Sequence, residues 1–200
     1  MKKLFLLLVF NISVQVLWSQ ADYKHKIISL GIGPSFTGSG DNIGTGMFNE
    51  CLLSLNNRVS VNGRLFFFMI NEYYGLYGTP DLYDQQTGIS LDAGLNISPF
   101  KTGKRYVYLM GGGCVKYSAS CYTSANISYS DNLNTGQQSE AIDFTYYSID
   151  KGISPGYYFG LGFTENISPH IVYGLKCNFQ IYAGGDVIWV MGINIGYDFH

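Results

Sequence analysis

V-I-W-V-M-G-I-N-I-G-Y-D-F, from Val187 to Phe199, is the stretch whose reading decides the fold. Its odd positions are Val187, Trp189, Met191, Ile193, Ile195, Tyr197 and Phe199, all bulky and apolar. Its even positions are Ile188, Val190, Gly192, Asn194, Gly196 and Asp198, small or polar from Gly192 onward. Successive side chains of a strand point to opposite faces, so this segment has one apolar face and one of small and polar groups. A soluble sheet would turn the apolar face to a core. Aromatics near both ends of that face, in the last segment of the chain, point instead to a strand that meets lipid.

The same alternation recurs upstream. Over 25–37, Ile28, Leu30, Ile32, Pro34 and Phe36 oppose Ser29, Gly31, Gly33 and Ser35. Over 46–55, Met47, Cys51, Leu53 and Leu55 share a face with Asn49. Over 58–70, Val59, Val61, Leu65, Phe67 and Met69 oppose Arg58, Ser60, Asn62 and Arg64, until Phe66 and Phe68 blur the pattern. The cleanest case is 88–98, where Ile89, Leu91, Ala93, Leu95 and Ile97 face away from Ser90, Asp92, Gly94, Asn96 and Ser98. Gly111-Gly112-Gly113 hides the phase of 106–117. The segments 152–164 and 170–182 alternate again. Together with 187–199 these predict eight strands and an all-β, closed antiparallel up-and-down transmembrane β-barrel.

The connections sort into two sets. Those at 56–57, 99–105 and 165–169 fall on one side and those at 38–45, 71–87, 118–151 and 183–186 on the other, outer side, so the longer ones are mostly outside. The segment 118–151 reads as an outer loop whose strands could extend beyond the membrane. N-I-S-P at Asn96–Pro99 recurs at Asn166–Pro169, and both are expected to be turns. Pro34 and Pro155 are expected inside strands, near their outer ends, where a rim or bulge tolerates a missing N–H.

Lys2-Lys3, the apolar run Leu4–Phe10 and the small residues Ser19 and Ala21 predict a cleaved export signal over 1–21, with residues 22–200 as one barrel domain. Charged residues make up only 13% of the chain while aromatics reach 16%, and the mean hydropathy of +0.07 is what alternating strands give. The net charge of −2 gives no electrostatic case for nucleic acid. Cys51, Cys114, Cys121 and Cys177 permit two disulfides in an exported chain, but their place within strands favours small wall residues.

On these residues the chain resembles the small outer-membrane β-barrel proteins of Gram-negative bacteria, of the OmpX or OmpA-barrel kind. The Lys2-Lys3 signal, eight alternating strands and the aromatic ending G-Y-D-F at Gly196–Phe199 carry the likeness, although such chains usually end on the aromatic and here His200 follows. The resemblance implies an outer-membrane location and covers the whole mature chain. It leaves the role open, since the fold hosts structural, adhesive and enzymatic members.

An eight-stranded barrel encloses a lumen that side chains can fill. Glu50, Arg64, Asp92, Lys176 and Asp198 are the inward charges predicted by alternation, a polar plug or else a proton or ion path, since unpaired charges there are costly. Small residues at Gly31, Gly33, Gly156, Gly160 and Gly162 could instead leave room for a narrow channel carrying small or hydrophobic solutes. The segment 118–151 offers Tyr122, Tyr129, Tyr146 and Tyr147 for contact with an extracellular protein or glycan, or as part of an aromatic girdle. No catalytic, cofactor or metal site is expected. The three histidines, His25, His170 and His200, lie away from the outer connections, and Leu133 sits where the calcium-loop-like run Asp131–Gly136 would need an oxygen. The reading is therefore a structural or surface-contact protein set in outer-membrane lipid, against two rivals: the channel, and a secreted soluble β-barrel or sandwich that binds a ligand inside.

Overall fold

The computed structural model describes residues 26–38, 42–56, 58–74, 82–102, 105–132 and 137–199, and the side chains of 26–38, 42–56, 58–71, 85–99, 105–121 and 148–199. The segment expected to be an export signal lies outside the described residues. Eight strands follow one another: β1 (Lys26–Thr37), β2 (Asn42–Ser54), β3 (Val59–Tyr74), β4 (Leu82–Thr102), β5 (Arg105–Asn132), β6 (Gln137–Asn166), β7 (Ile171–Tyr182) and β8 (Val187–Phe199). Each pairs antiparallel with the next, and β8 returns to β1 from Lys26↔Phe199 to Thr37↔Ile188, so the barrel is closed.

Although in β2 the four successive residues Glu50–Leu53 are all buried, alternation sets the facing of the strands. β7 shows it most plainly, with Val172, Gly174, Lys176, Asn178, Gln180 and Tyr182 buried and the residues between them turned out. Outside stands a continuous apolar wall, including Leu30, Ile32, Leu91, Leu95, Leu161, Leu175, Ile193 and Ile195. The described chain leaves 28 large hydrophobic side chains exposed, far beyond the patch of a few hundred Å2 that a soluble monomer shows. The soluble-binder reading needed those faces turned inward, and they face out. Aromatics border the wall in two bands. Phe159, Phe179 and Trp189 pack in a row, with centroids 5.3 and 4.8 Å apart, while Phe163–Tyr173 and Tyr197–Phe199 pack nearer the short turns. Along a tilted strand Trp189 and Tyr197 differ in height by about 20 Å, close to an apolar band of about 25 Å.

Strand ends depart from expectation in two places. The segment 118–151, expected as an outer loop whose strands could extend beyond the membrane, is mostly those extended strands and not a loop. β5 and β6 continue as a paired ribbon from Ser118↔Gly152 to Asn132↔Gln137, with a register shift at Ser124/Ala125. A ribbon beyond the barrel has no single buried face, so its mixed sequence lacks the two-residue period and reads as loop. Pro99 is not in a turn either. β4 runs on to Thr102 through a register shift between Ile97 and Phe100, and a bulge tolerates the missing N–H. The two N-I-S-P copies therefore differ. Asn96–Pro99 stays in a strand, while after Asn166 the chain turns, with the amides of His170 and Ile171 bonded to the Ser168 hydroxyl. Connections 38–45 and 71–87 are likewise shortened, because β2 starts at Asn42, β3 reaches Tyr74 and β4 starts at Leu82.

The remaining turns follow their chemistry. Asn56 Oδ1 accepts the amides of Arg58 and Val59, both at 2.8 Å, and so fixes the β2–β3 hairpin. Gly184 and Gly185 have φ of 109° and 90°, which side-chain-bearing residues rarely adopt, and they close the β7–β8 turn. Pro34 sits where the β1–β8 ladder passes from Ile32↔Ile193 to Ser35↔Val190, and Pro155 lies just past the top of β7, which begins to pair at Gly156↔Tyr182. All four cysteines are free thiols.

Candidate functional site

Below its outer mouth the lumen is filled. Glu50, Arg64, Asp92, Lys176 and Asp198 all point inward and are buried. Arg64 donates to Asp92 Oδ2 from Nε at 2.7 Å and Nη2 at 2.5 Å, a pairing between adjacent strands. Lys176 bonds Glu50 across the barrel, from β7 to β2. Asp92 also accepts from Ser90 Oγ at 2.5 Å and from Gln180 Nε2 at 2.8 Å, the latter again across the lumen. Tyr182 Oη donates to the same layer at Gln180 Oε1, 2.9 Å away. Tyr158 Oη reaches Asn62 Oδ1 at 2.5 Å, and Asn62 Nδ2 donates to Asn96 at 2.7 Å. Asp198 lies near the short-turn end, its amide bonded to the His170 carbonyl at 2.8 Å.

Sequence reasoning missed one charge, Lys116, whose side chain is 0% exposed. It bonds Asp186 Oδ2 at 2.7 Å and stands 4.6 Å from the Tyr182 ring centroid. The glycine run hid its phase, but the flanks held it: Val107, Leu109, Val115 and Tyr117 are the outward set, which turns Cys114, Lys116 and Ser120 inward.

Apolar groups fill what the charges leave. Phe48, Phe66, Phe68, Ile70, Tyr108, Met110, Tyr158, Tyr182, Ile188 and Val190 form one buried cluster, and Ile27, Leu52 and Val172 form another at the short-turn end. The inward glycines do not leave a channel on one side, as their small size suggested. A Cβ on Gly31 would sit 2.1 Å from the Phe48 ring and one on Gly162 would sit 2.2 Å from Tyr108. Gly156 is crowded by the Ile181 carbonyl and the Tyr182 ring, and Gly33 and Gly160 by the carbonyls of Met191 and Cys177. The rings of Phe48, Tyr108 and Tyr182 need Gly31, Gly162 and Gly156, so small and large residues interlock there.

The second feature is the ribbon. β4 pairs with β5 as far as Gln85↔Cys121, and β7 pairs with β6 only from Gly156. Among the described residues, 122–132 of β5 and 137–154 of β6 have only each other beyond these limits, leaving the β5 edge open over about 36 Å and the β6 edge over about 59 Å. Tyr122, Tyr129, Tyr146 and Tyr147 all lie on this ribbon, paired as Tyr122↔Ser148, Thr123↔Tyr147, Ser124↔Tyr146 and Tyr129↔Glu140. Their side chains lie outside the described set. Among the described residues no group of three or more His, Cys, Asp or Glu could hold a metal. His170 stands at the short-turn end, stacked on Tyr197 at 5.4 Å.

No family model matches the chain, and no curated protein matches its sequence. Solved structures share its fold. Ail, the attachment invasion locus protein of Yersinia pestis, matches 88% of this chain and 99% of its own with a TM-score of 0.55 at 13% identity. The outer membrane protein OprG of Pseudomonas aeruginosa matches 89% and 97% with a TM-score of 0.57 at 14% identity. A major outer membrane protein from Thermus thermophilus matches 88% and 100% with a TM-score of 0.55 at 13% identity. Ail has also been solved in complex with the heparin analogue sucrose octasulfate. At these identities the likeness is one of fold.

Proposed function

We propose that the chain is an integral outer-membrane protein that makes surface contacts through the β5–β6 ribbon and has no catalytic role. The apolar wall between two aromatic bands supports the bilayer as its solvent, and residues 1–21 are then the export signal removed on the way. One observation carries the contact role: two long strand edges stand open beyond the barrel. Unpaired backbone donors and acceptors invite a further strand, so the natural partner is an extended segment of another protein that adds to the sheet. A sulfated glycan like the analogue seen with Ail suits this ribbon less well. Within 118–151 the charges are Asp131, Glu140, Asp143, Asp150 and a single Lys151, which would repel a polyanion. The filled lumen also speaks against a channel.

Two experiments test this. Outer-membrane fractions run unheated and boiled on an SDS gel should show a heat-dependent mobility shift, and unshifted protein in the soluble periplasm would end the membrane reading. For contact, extended peptides selected on the barrel in nanodiscs should lose binding when alternate backbone amides are N-methylated. They should also lose it when 123–147 is replaced by a tight turn. Peptides that bind the shortened barrel equally well would refute the ribbon's role.

A further inference from the structure

At the end of the lumen opposite the short turns, β1 to β5 and the β7–β8 turn enclose a cavity of about 270 Å3. Its lining offers hydrogen-bonding groups from Asn42, Gln85, Gln86, Ser120 and Asp186, with Ile70 and Val187 as an apolar side. Asp186 is held in place from below. The buried Lys116 ammonium bonds its Oδ2, while the Asp186 side chain remains 55% exposed toward the mouth. The cavity is a dead end, because Ile70 and the Tyr182–Ser90–Asp92 layer lie beneath it.

We propose that this mouth binds a single neutral sugar ring. The reasoning rests on charge, donor set and size, and on the mouth alone rather than on the ribbon. Asp186 is the one carboxylate among the described lining residues, and it is paired with the buried Lys116, so the described lining and its ion-pair partner carry no net charge. An anion would meet the exposed carboxylate, and for a cation the pull of that carboxylate is offset by the Lys116 ammonium bonded behind it. Neutral hydroxyls, which donate and accept at once, match amides, a hydroxyl and an oriented carboxylate. Ile70 and Val187 suit the C–H face of a ring. The volume lies just below the roughly 300 Å3 at which pockets for larger ligands begin, so one ring fits and an oligosaccharide must leave its other units outside.

The test uses the mature chain refolded in lauryldimethylamine oxide, a detergent without a sugar head group. D-glucose, D-galactose and D-mannose are titrated while the amide signals of Gln86, Ser120 and Gly185 are followed by NMR. One of the hexoses should give saturable shifts at these residues, and the same concentration of inorganic phosphate or calcium chloride should not. D186N should weaken the binding about tenfold or more, the loss of one hydrogen bond to a charged group. Q86A, which leaves the Lys116 pair intact, should weaken it as well, with heat-dependent gel mobility confirming that both variants are folded. A disaccharide carrying the preferred hexose at its non-reducing end identifies the source: equal or tighter binding means a glycan terminus, weaker binding a free monosaccharide. Absence of saturation by all three hexoses, an equal response to phosphate or calcium, or folded D186N and Q86A proteins that both bind like the parent would overturn the proposal.

Discussion

Asp92 is the residue on which the lumen's polar layer converges, and its removal makes the sharpest test of how the barrel is held. It accepts hydrogen bonds from Arg64, Ser90 and Gln180, and its own side chain is 0% exposed. In Asp92→Ala the Arg64 guanidinium stays buried, left with the Tyr158 ring at 5.1 Å and with Glu50, opposite it in the β2–β3 register but bonded to Lys176. Removing one partner of a buried pair costs about 3–5 kcal/mol. Orphaning the Gln180 donor adds about 1–3 kcal/mol, so the expected loss is about 4–7 kcal/mol with some overlap between the terms. The double variant Arg64→Met, Asp92→Leu removes both charges and fills their volume, and should come within about 2 kcal/mol of the parent. Stability is read by reversible urea unfolding in lipid vesicles. A chain made without residues 1–21 carries a single tryptophan, Trp189, packed 4.8 Å from Phe179, as reporter. A cost below about 1 kcal/mol for Asp92→Ala, or a double variant no more stable than Asp92→Ala, would show that the pair is hydrated and idle.

Other outcomes follow from the same geometry. Leu161→Arg on the outward wall should cost about 2–4 kcal/mol in vesicle unfolding, while Ile149→Arg, beyond the top of β7, should cost less than about 1 kcal/mol. Gly162→Ala drives a methyl into the Tyr108 ring and should cost about 1–3 kcal/mol, whereas Gly113→Ala, with open space around its Cβ, should stay within about 0.5 kcal/mol. Asn56→Ala removes the acceptor for two turn amides and should lower stability by about 1 kcal/mol, which urea midpoints would show. Thiol titration of the denatured protein without reductant should find four reactive sulfurs per chain, and fewer would mean that oxidation links strands.

How far the sequence could be read depends on what each strand faces. β4, β7 and β8 have lipid-type groups on one side and small or polar groups on the other, so their two-residue period survives and fixes their facing. The five charges singled out from that period all lie inside. β3 blurs at Phe66 and Phe68 because its inward side there is aromatic too, and with both faces apolar the period vanishes. The same cause concealed the fate of the glycines: alternation tells that Gly31 and Gly162 point inward, but not that Phe48 and Tyr108 lie across them. The pairing and extent of the ribbon were illegible for the opposite reason, since neither face is committed to a core. Pro99 misled because proline marks a turn or a bulge equally well, and only the partner strand decides which.

The cross-lumen bonds bear on how such a chain can enter a bilayer. Lys176 meets Glu50 across 126 residues of sequence, Tyr158 meets Asn62 across 96, and Gln180 meets Asp92 across 88. A chain inserted one hairpin at a time would carry each of these groups into hydrocarbon before its counterpart arrived. Arg64 with Asp92, and Asn62 with Asn96, lie on the neighbouring strands β3 and β4 and could travel together. The interior therefore penalises piecemeal entry and rewards a route in which the staves gather at the membrane surface and cross as a nearly closed ring. In that route Lys26 finding Phe199 is the step that makes the crossing possible.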